Sequence, residues 1–275
     1  MAGKTNRLVA DKNVLGRGRA ASWLSMASNN QLIITDYCLI ECMQGDPIRN
    51  LCADFTPLAP FASQLVFLKM TSSMVGWRPR SSGLQGRWIS NRLTERFRER
   101  LTLGDDLFAK LMFDDPAFPE FASKSQVFLD SVSDDADAFK NEMTKTIRGW
   151  SSNLLSLFRS QASFTHHLAA ELYTSIQELA AALFRDWPRC GIPLFSDAIH
   201  SFEYRFAVAC VCLAMEWSTG DLPKVKGDKL RNDLLDMTYV AYGTMFDGLM
   251  TNESKVKKIY ANDLPPEFEP FFMRV

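Results

Sequence analysis

Arg7-Leu8-Val9-Ala10-Asp11-Lys12-Asn13 is the stretch that decides how the chain is read. Leu8, Val9 and Ala10 form a short apolar run that stops at an aspartate, and the residues beyond Leu15 are rich in Gly, Arg and Ser. A buried strand that ends in a polar loop and passes into a helix accounts for this order. The order then recurs. Leu32-Ile33-Ile34 is apolar, Thr35 or Asp36 is suited to cap a helix, and that helix carries Leu39, Ile40 and Glu41. Leu65-Val66-Phe67-Leu68 reads as a further strand. Strands alternating with helices predict an α/β fold with an open, mainly parallel sheet flanked by helices.

The same grammar closes the chain. Asn232 or Asp233 is placed to cap a helix that ends near Gly243, and Gly248 to Thr251 is a strand whose end carries Asn252 and Glu253. Between these ends the character changes. After Gly76 come a loop, Trp77-Arg78-Pro79-Arg80-Ser81-Ser82-Gly83, and an arginine-rich segment from Arg87 to Arg100. From Phe118 to Trp187 the apolar residues recur at helical spacing, Pro188 and Pro193 interrupt, and Ser201 to Trp217 is largely apolar. The expected organisation is a core of residues 1–76 and 199–275 and a mainly helical insertion or lobe, 77–198.

Composition narrows the classes. Hydrophobic residues make up 47% and charged residues 23%, which excludes a disordered chain. The 31 basic and 32 acidic residues nearly cancel, so a polyanionic partner has to be argued from a local patch. Six cysteines without a CxxC pair suggest buried free thiols in a reducing compartment. No apolar run reaches the roughly 18–20 residues that span a bilayer. The expected setting is cytoplasmic, with no membrane.

In a parallel sheet, ligands bind at the carboxyl ends of the strands. Asp11 and Glu253 fall at such ends, Glu41 lies about one turn into the helix after the second strand, and Asp236 lies on the helix that leads to the last strand. Four carboxylates sharing one edge repel one another unless a hard cation neutralises them, which points to Mg²⁺ or Mn²⁺. Two such ions, about 3.5–4 Å apart, activate a water and stabilise a leaving oxygen on phosphorus.

Three stretches carry a family likeness: VADKNVL at Val9 to Leu15, IITDYCLIE at Ile33 to Glu41, and NDLLDMTYVAYGTMFDGLMTNE at Asn232 to Glu253. In order and context they resemble the motifs of PIN-like nucleases. The resemblance implies a metal-dependent ribonuclease in which Asp11, Glu41, Asp236 and Glu253 are catalytic and bind the metal, with Asn13 and Thr251 supporting them and Asp233 and Asp247 as second-tier ligands. It covers residues 7–43 and 228–260 and leaves the long segment between them unassigned. Thr251-Asn252-Glu253 departs from the family's usual Thr-X-Asp.

Seven arginines lie between Arg78 and Arg100 against two acids, with Trp77 and Trp88 interleaved. Arg87, Arg92 and Arg96 for phosphate and Trp88 for base stacking would suit single-stranded RNA, while a solvated helix face explains the same pattern equally well. Two further functions remain open at this point. One is a helical interaction protein with a vestigial nuclease site; the other is a metal-dependent phosphatase acting on a small phosphate ester. A homo-oligomer or a protein partner bound through the helical insertion is compatible with any of the three.

Overall fold

The computed structural model describes residues 4–77, 79, 83–115, 123, 136–160, 166–186, 193–218 and 227–263. Phe118, Phe128, Cys190, Arg78 and Arg80 therefore lie outside the described residues. The chain forms two compact units. The first comprises Met1–Met74, Gly83–Leu129 and Tyr242–Lys257; the second comprises Val75–Ser82, Asp130–Ala241 and Lys258–Val275. These boundaries differ from 77–198, since the arginine-rich segment belongs to the first unit and Ser201 to Trp217 to the second.

The first unit is built on a parallel sheet of β1 (Asn6–Ala10), β2 (Asn30–Ile34), β3 (Leu65–Phe67) and β4 (Leu249–Met250) in the order β3-β2-β1-β4. Leu32, Ile33, Ile34, Leu65 and Phe67 are all completely buried. Continuous apolar runs of this kind mark strands covered on both faces, where an alternating pattern would expose one side. The register pairs Ala10 with Ile34 and with Met250. It thereby sets Asp11 beside Thr251 and Thr35, each one residue past its strand.

Helices α1 (Arg19–Ser25), α2 (Asp36–Cys42) and α3 (Pro47–Phe55) follow in the first unit. Thr35 caps α2, its hydroxyl accepting from the Cys38 amide at 3.1 Å. Asp36 stands in the first turn and is buried; its two oxygens accept from the Thr71 amide at 2.6 Å and the Thr71 hydroxyl at 2.8 Å. The Thr71 hydroxyl also meets the Tyr242 hydroxyl at 2.5 Å, and the Tyr242 ring packs edge-on against Trp88. Asp36, one of two expected caps, thus cross-links three separate parts of the unit. Thr71 begins α4 (Thr71–Met74) and Trp88 ends α5 (Leu84–Trp88).

The arginine-rich segment forms α6 (Asn91–Leu101), which covers the edge strand β3, and α7 (Asp105–Asp114) packs on α6 and α3. The Phe67 amide donates to the Thr94 hydroxyl at 2.9 Å and Arg98 Nε donates to the Leu65 carbonyl at 2.9 Å. Side chains of α6 therefore satisfy backbone groups that an uncovered edge would offer to another chain. Below them Phe55, Phe67, Phe97 and Phe108 form a fully buried aromatic cluster, with the Phe97 ring 4.1 Å from Phe67, 4.7 Å from Phe55 and 5.0 Å from Phe108.

The second unit contains α8 (Ala136–Gly149), α9 (Ser152–Ser160), α10 (His166–Asp186), α11 (Phe195–Ala198), α12 (Phe202–Ser218) and most of α13 (Gly227–Met245). Helix α12 is buried almost all round, packed by α8, α9 and α10, as expected of a helix without a polar face. Helix α13 begins five residues before Asn232. Asn232 and Asp233 are therefore interior positions, and Asp233 is buried, accepting from Trp217 Nε1 at 3.2 Å. Among the described residues, no helix is long and apolar enough to cross a membrane. The described cysteines are free, and all except Cys52 are buried.

Two stability predictions follow from this packing. Phe97→Ala removes the ring at the centre of the aromatic cluster and is expected to cost about 3–5 kcal/mol in urea unfolding; a loss below about 1 kcal/mol would show that α6 does not pack there. Burial pushes the Asp36 carboxyl up to about 6, against the downward pull of the Thr71 bonds. Its folded value is raised, so its contribution to stability is complete below its ordinary 3.8 and is lost as pH rises through about 6. Relative to Asp36→Asn, the wild-type chain is expected to lose on the order of 1–3 kcal/mol across that window. A difference that does not change with pH would remove the buried charge from the account.

Candidate functional site

Asp11 is buried at the carboxyl end of β1, where its amide donates to the Met250 carbonyl at 3.0 Å. Oδ2 accepts from the Thr251 hydroxyl at 2.5 Å and from Asn13 Nδ2 at 2.6 Å, and Oδ1 accepts from the Asn13 amide at 3.2 Å. Part of this is local, since Asp11 caps the single 3₁₀ turn Lys12–Val14. The Thr251 bond is not local, because it joins residues 240 apart in sequence. A carboxylate offers about four lone-pair sites. Among the described residues three are taken, and one on Oδ1 has no donor.

The partners of Asp11 are themselves held. The Asn252 amide donates to Asn13 Oδ1 at 2.8 Å, Asn252 Nδ2 donates to the Asn13 carbonyl at 3.0 Å, and the Glu253 amide donates to Thr251 Oγ1 at 3.0 Å. Asn13 and Thr251 thus position Asp11 and also fix the chain that carries Glu253, whose own side chain is exposed. Desolvation raises the Asp11 pKa and the nearby Glu253 charge raises it further, while the bonds from Thr251 and Asn13 pull it down.

Glu41 lies on α2, half-buried. Burial raises the pKa of the Cys38 thiol on the same helix, and Glu41, Asp11 and Asp54 each add to the rise through their charge. The charges of all three carboxylates thus act on one buried thiol and favour its protonated form. Asp54 escaped the sequence reading. It sits on α3 between the fully buried Leu51 and Phe55, accepts from the Cys42 thiol at 3.3 Å and lies 3.9 Å from Lys12 Nζ. An acid three residues after one buried residue and next to another was the available signal.

Other candidates fall elsewhere. Asp236 is half-buried on α13 in the second unit. Asp247 accepts from the Arg7 amide at 2.8 Å, near the start of β1. At about 3.3 Å per residue that end is roughly 13 Å from Asp11, so Asp247 secures the amino edge of the sheet. Trp88 is only 4% exposed, packed on Tyr242, and presents no face to a base. Arg96 and Arg100 pair with Asp115 at 3.2 and 2.8 Å; Arg92 is exposed, and Arg87 is half-buried. The segment expected to hold RNA is in large part committed to covering β3.

Arg19 was also missed. The first residue of α1, it donates from Nη1 to the Thr251 carbonyl and to Asn252 Oδ1, both at 2.8 Å. Gly16 and Gly18 shape the loop that delivers it. A Cβ on Gly16 would lie 2.9 Å from the Ala53 carbonyl oxygen, and Gly18 has a left-handed backbone with φ of 75°.

Among the described residues, no group of three or more His, Cys, Asp or Glu side chains is arranged to hold a metal ion. Carboxylate oxygens, the donors that a hard cation prefers, are present on Asp11 and on the exposed Glu253, whose charge acts on Asp11. Mg²⁺ is commonly held by one or two carboxylates, with water and substrate phosphate completing its shell. Among the described residues these carboxylates do not form a two-ion cage. Compared with family models, curated proteins and solved structures, the chain matches none.

Thr251→Val deletes the hydroxyl that lowers the Asp11 pKa and receives the Glu253 amide. The expected result is an upward shift of the Asp11 titration, read by carboxyl NMR, with a stability loss of about 1–3 kcal/mol. An unmoved titration would mean that the 2.5 Å bond does not orient Asp11.

Proposed function

We propose that the carboxyl edge around Asp11 hydrolyses phosphodiester bonds of single-stranded RNA, as a PIN-like endoribonuclease that uses Mg²⁺ or Mn²⁺. The observation that carries this is the bonding of Asp11 to Asn13 and to Thr251, with the Glu253 charge bearing on the same carboxylate. It supplies a rigid acid with one open lone pair at the end of a parallel strand. Support also comes from chain order, since Asp11 with Asn13, Glu41, Asp236 and Thr251 with Glu253 follow one another as the family motifs do.

Asp11 and Glu253 would hold the ion, with Glu41 a further ligand on the strength of the resemblance. When bound, the ion offsets the crowded negative charge and makes a bound water more acidic. Asn13 and Thr251 keep the Asp11 carboxylate from turning, so that Oδ1 presents its open lone pair. Glu253 is exposed and free to meet substrate.

Asp11→Asn and Glu253→Gln are expected to lower cleavage of a single-stranded RNA by at least about 100-fold in Mg²⁺ or Mn²⁺. Folding, followed by circular dichroism, should be retained, because the ionised form of Asp11 is the disfavoured one. Asp236→Asn is the discriminating variant: an equal loss would place its carboxylate in the same chemistry, and wild-type rates would remove it. Wild-type rates in Asp11→Asn would sink the proposal. A binding protein with a vestigial site is favoured by the lack of a three-acid group among the described residues; it predicts RNA binding without cleavage by the wild-type chain.

A further inference from the structure

We propose that Arg19, aided by Arg17, grips the substrate's phosphate backbone beside Asp11, and that this loop, rather than the arginines of α6, forms the polynucleotide track. The inference rests on the reading of the Asp11 edge as a site for RNA. The Arg19 guanidinium and the Asp11 carboxylate are linked through a single residue: Arg19 bonds the Thr251 carbonyl and the Thr251 hydroxyl bonds Asp11. An arginine this close to two carboxylates would ordinarily pair with one of them. Arg19 instead bonds only neutral oxygens among the described residues, and both bonds come from Nη1. Its charge is unspent, and Nε and Nη2 keep their donors.

A planar guanidinium oriented by two bonds and left with free donors is suited to receive a phosphate in the forked manner that lysine cannot reproduce. Between Asp11 and Arg19 the chain places three bases, Lys12, Arg17 and Arg19, against the one acid. Arg17 and Arg19 are both exposed; Gly16 on one side of Arg17 lets the loop approach α3, and Gly18 on the other supplies a left-handed turn into α1. Arg96, Arg98 and Arg100 differ in being bound to Asp115 or to the β3 backbone.

Binding of a labelled single-stranded oligouridylate to the full chain, across a salt series and without divalent ion, tests this apart from cleavage. Arg19→Gln is expected to weaken affinity about tenfold and to reduce the slope of log affinity against log salt by about 0.7; adding Arg17→Gln should reduce it by about 0.7 again. Arg19→Lys should restore the slope and only part of the affinity, whereas Arg92→Gln should change neither. Wild-type affinity and slope in Arg19→Gln overturn the inference, as does a wild-type chain that binds no RNA. Uridine monophosphate binding as tightly as the oligonucleotide overturns the polynucleotide track. If Arg19→Gln fails to fold, Arg17→Gln and Arg19→Lys decide: an unchanged slope in Arg17→Gln with full affinity in Arg19→Lys overturns the proposal. Arg19-dependent binding without cleavage leaves this inference standing and removes the nuclease activity. Cleavage that depends on Asp11 but not on Arg19 does the reverse.

Discussion

The hydrogen bond from the Asp11 amide to the Met250 carbonyl holds the two distant arms of the first unit together. Strand β4 is only two residues long and has little pairing of its own. It is held because the Val9 amide donates to the Gly248 carbonyl and Ala10 pairs with Met250. A slip of one residue would turn the Thr251 side chain to the other face of the sheet and separate its hydroxyl from Asp11. Backbone register and side-chain chemistry are thus one constraint at this edge.

The opposite edge solves a different problem with comparable means. Strand β3 would present free backbone groups, and α6 covers them with Thr94 and Arg98 while Phe97 fills the space beneath. Arginine suits this position because its long apolar stem lies along the core while its head reaches a carbonyl. Charge that looks available in sequence is consumed by the fold. The short loop after β1 keeps Arg17 and Arg19 exposed.

The strands were legible because each is an unbroken apolar run ending in a polar residue, as Leu8-Val9-Ala10 before Asp11 and Leu32-Ile33-Ile34 before Thr35 show. The nearness of Asp11, Asn13 and Thr251 follows from those ends once the strands pair as neighbours. Sequence spacing does not say which strand lies at an edge, so the covering role of α6 was hidden behind its arginines. Nor does it reveal contacts across the unit, and so Asp36 looked like a cap when its partners are the amide and hydroxyl of Thr71, whose hydroxyl in turn meets Tyr242. Asp54 and Arg19 were missed for the same reason. Each is ordinary within its own helix and gains its place only from a segment far along the chain.

Asp11 and Thr251 are separated by 240 residues, which gives the site a history during synthesis. At about 5–20 residues per second, a ribosome that has just joined Asp11 needs roughly 10–50 s more to reach Thr251. Through all that time the aspartate lacks the hydroxyl that orients it and the strand that fixes its amide, and Glu253 does not yet exist. The growing chain can begin to assemble β1, β2, β3 and the aromatic cluster early, yet the bonds that hold Asp11 wait for the last arm of the sequence. Assembly from both arms of the sequence is, in this sense, a delay built into the order of the residues.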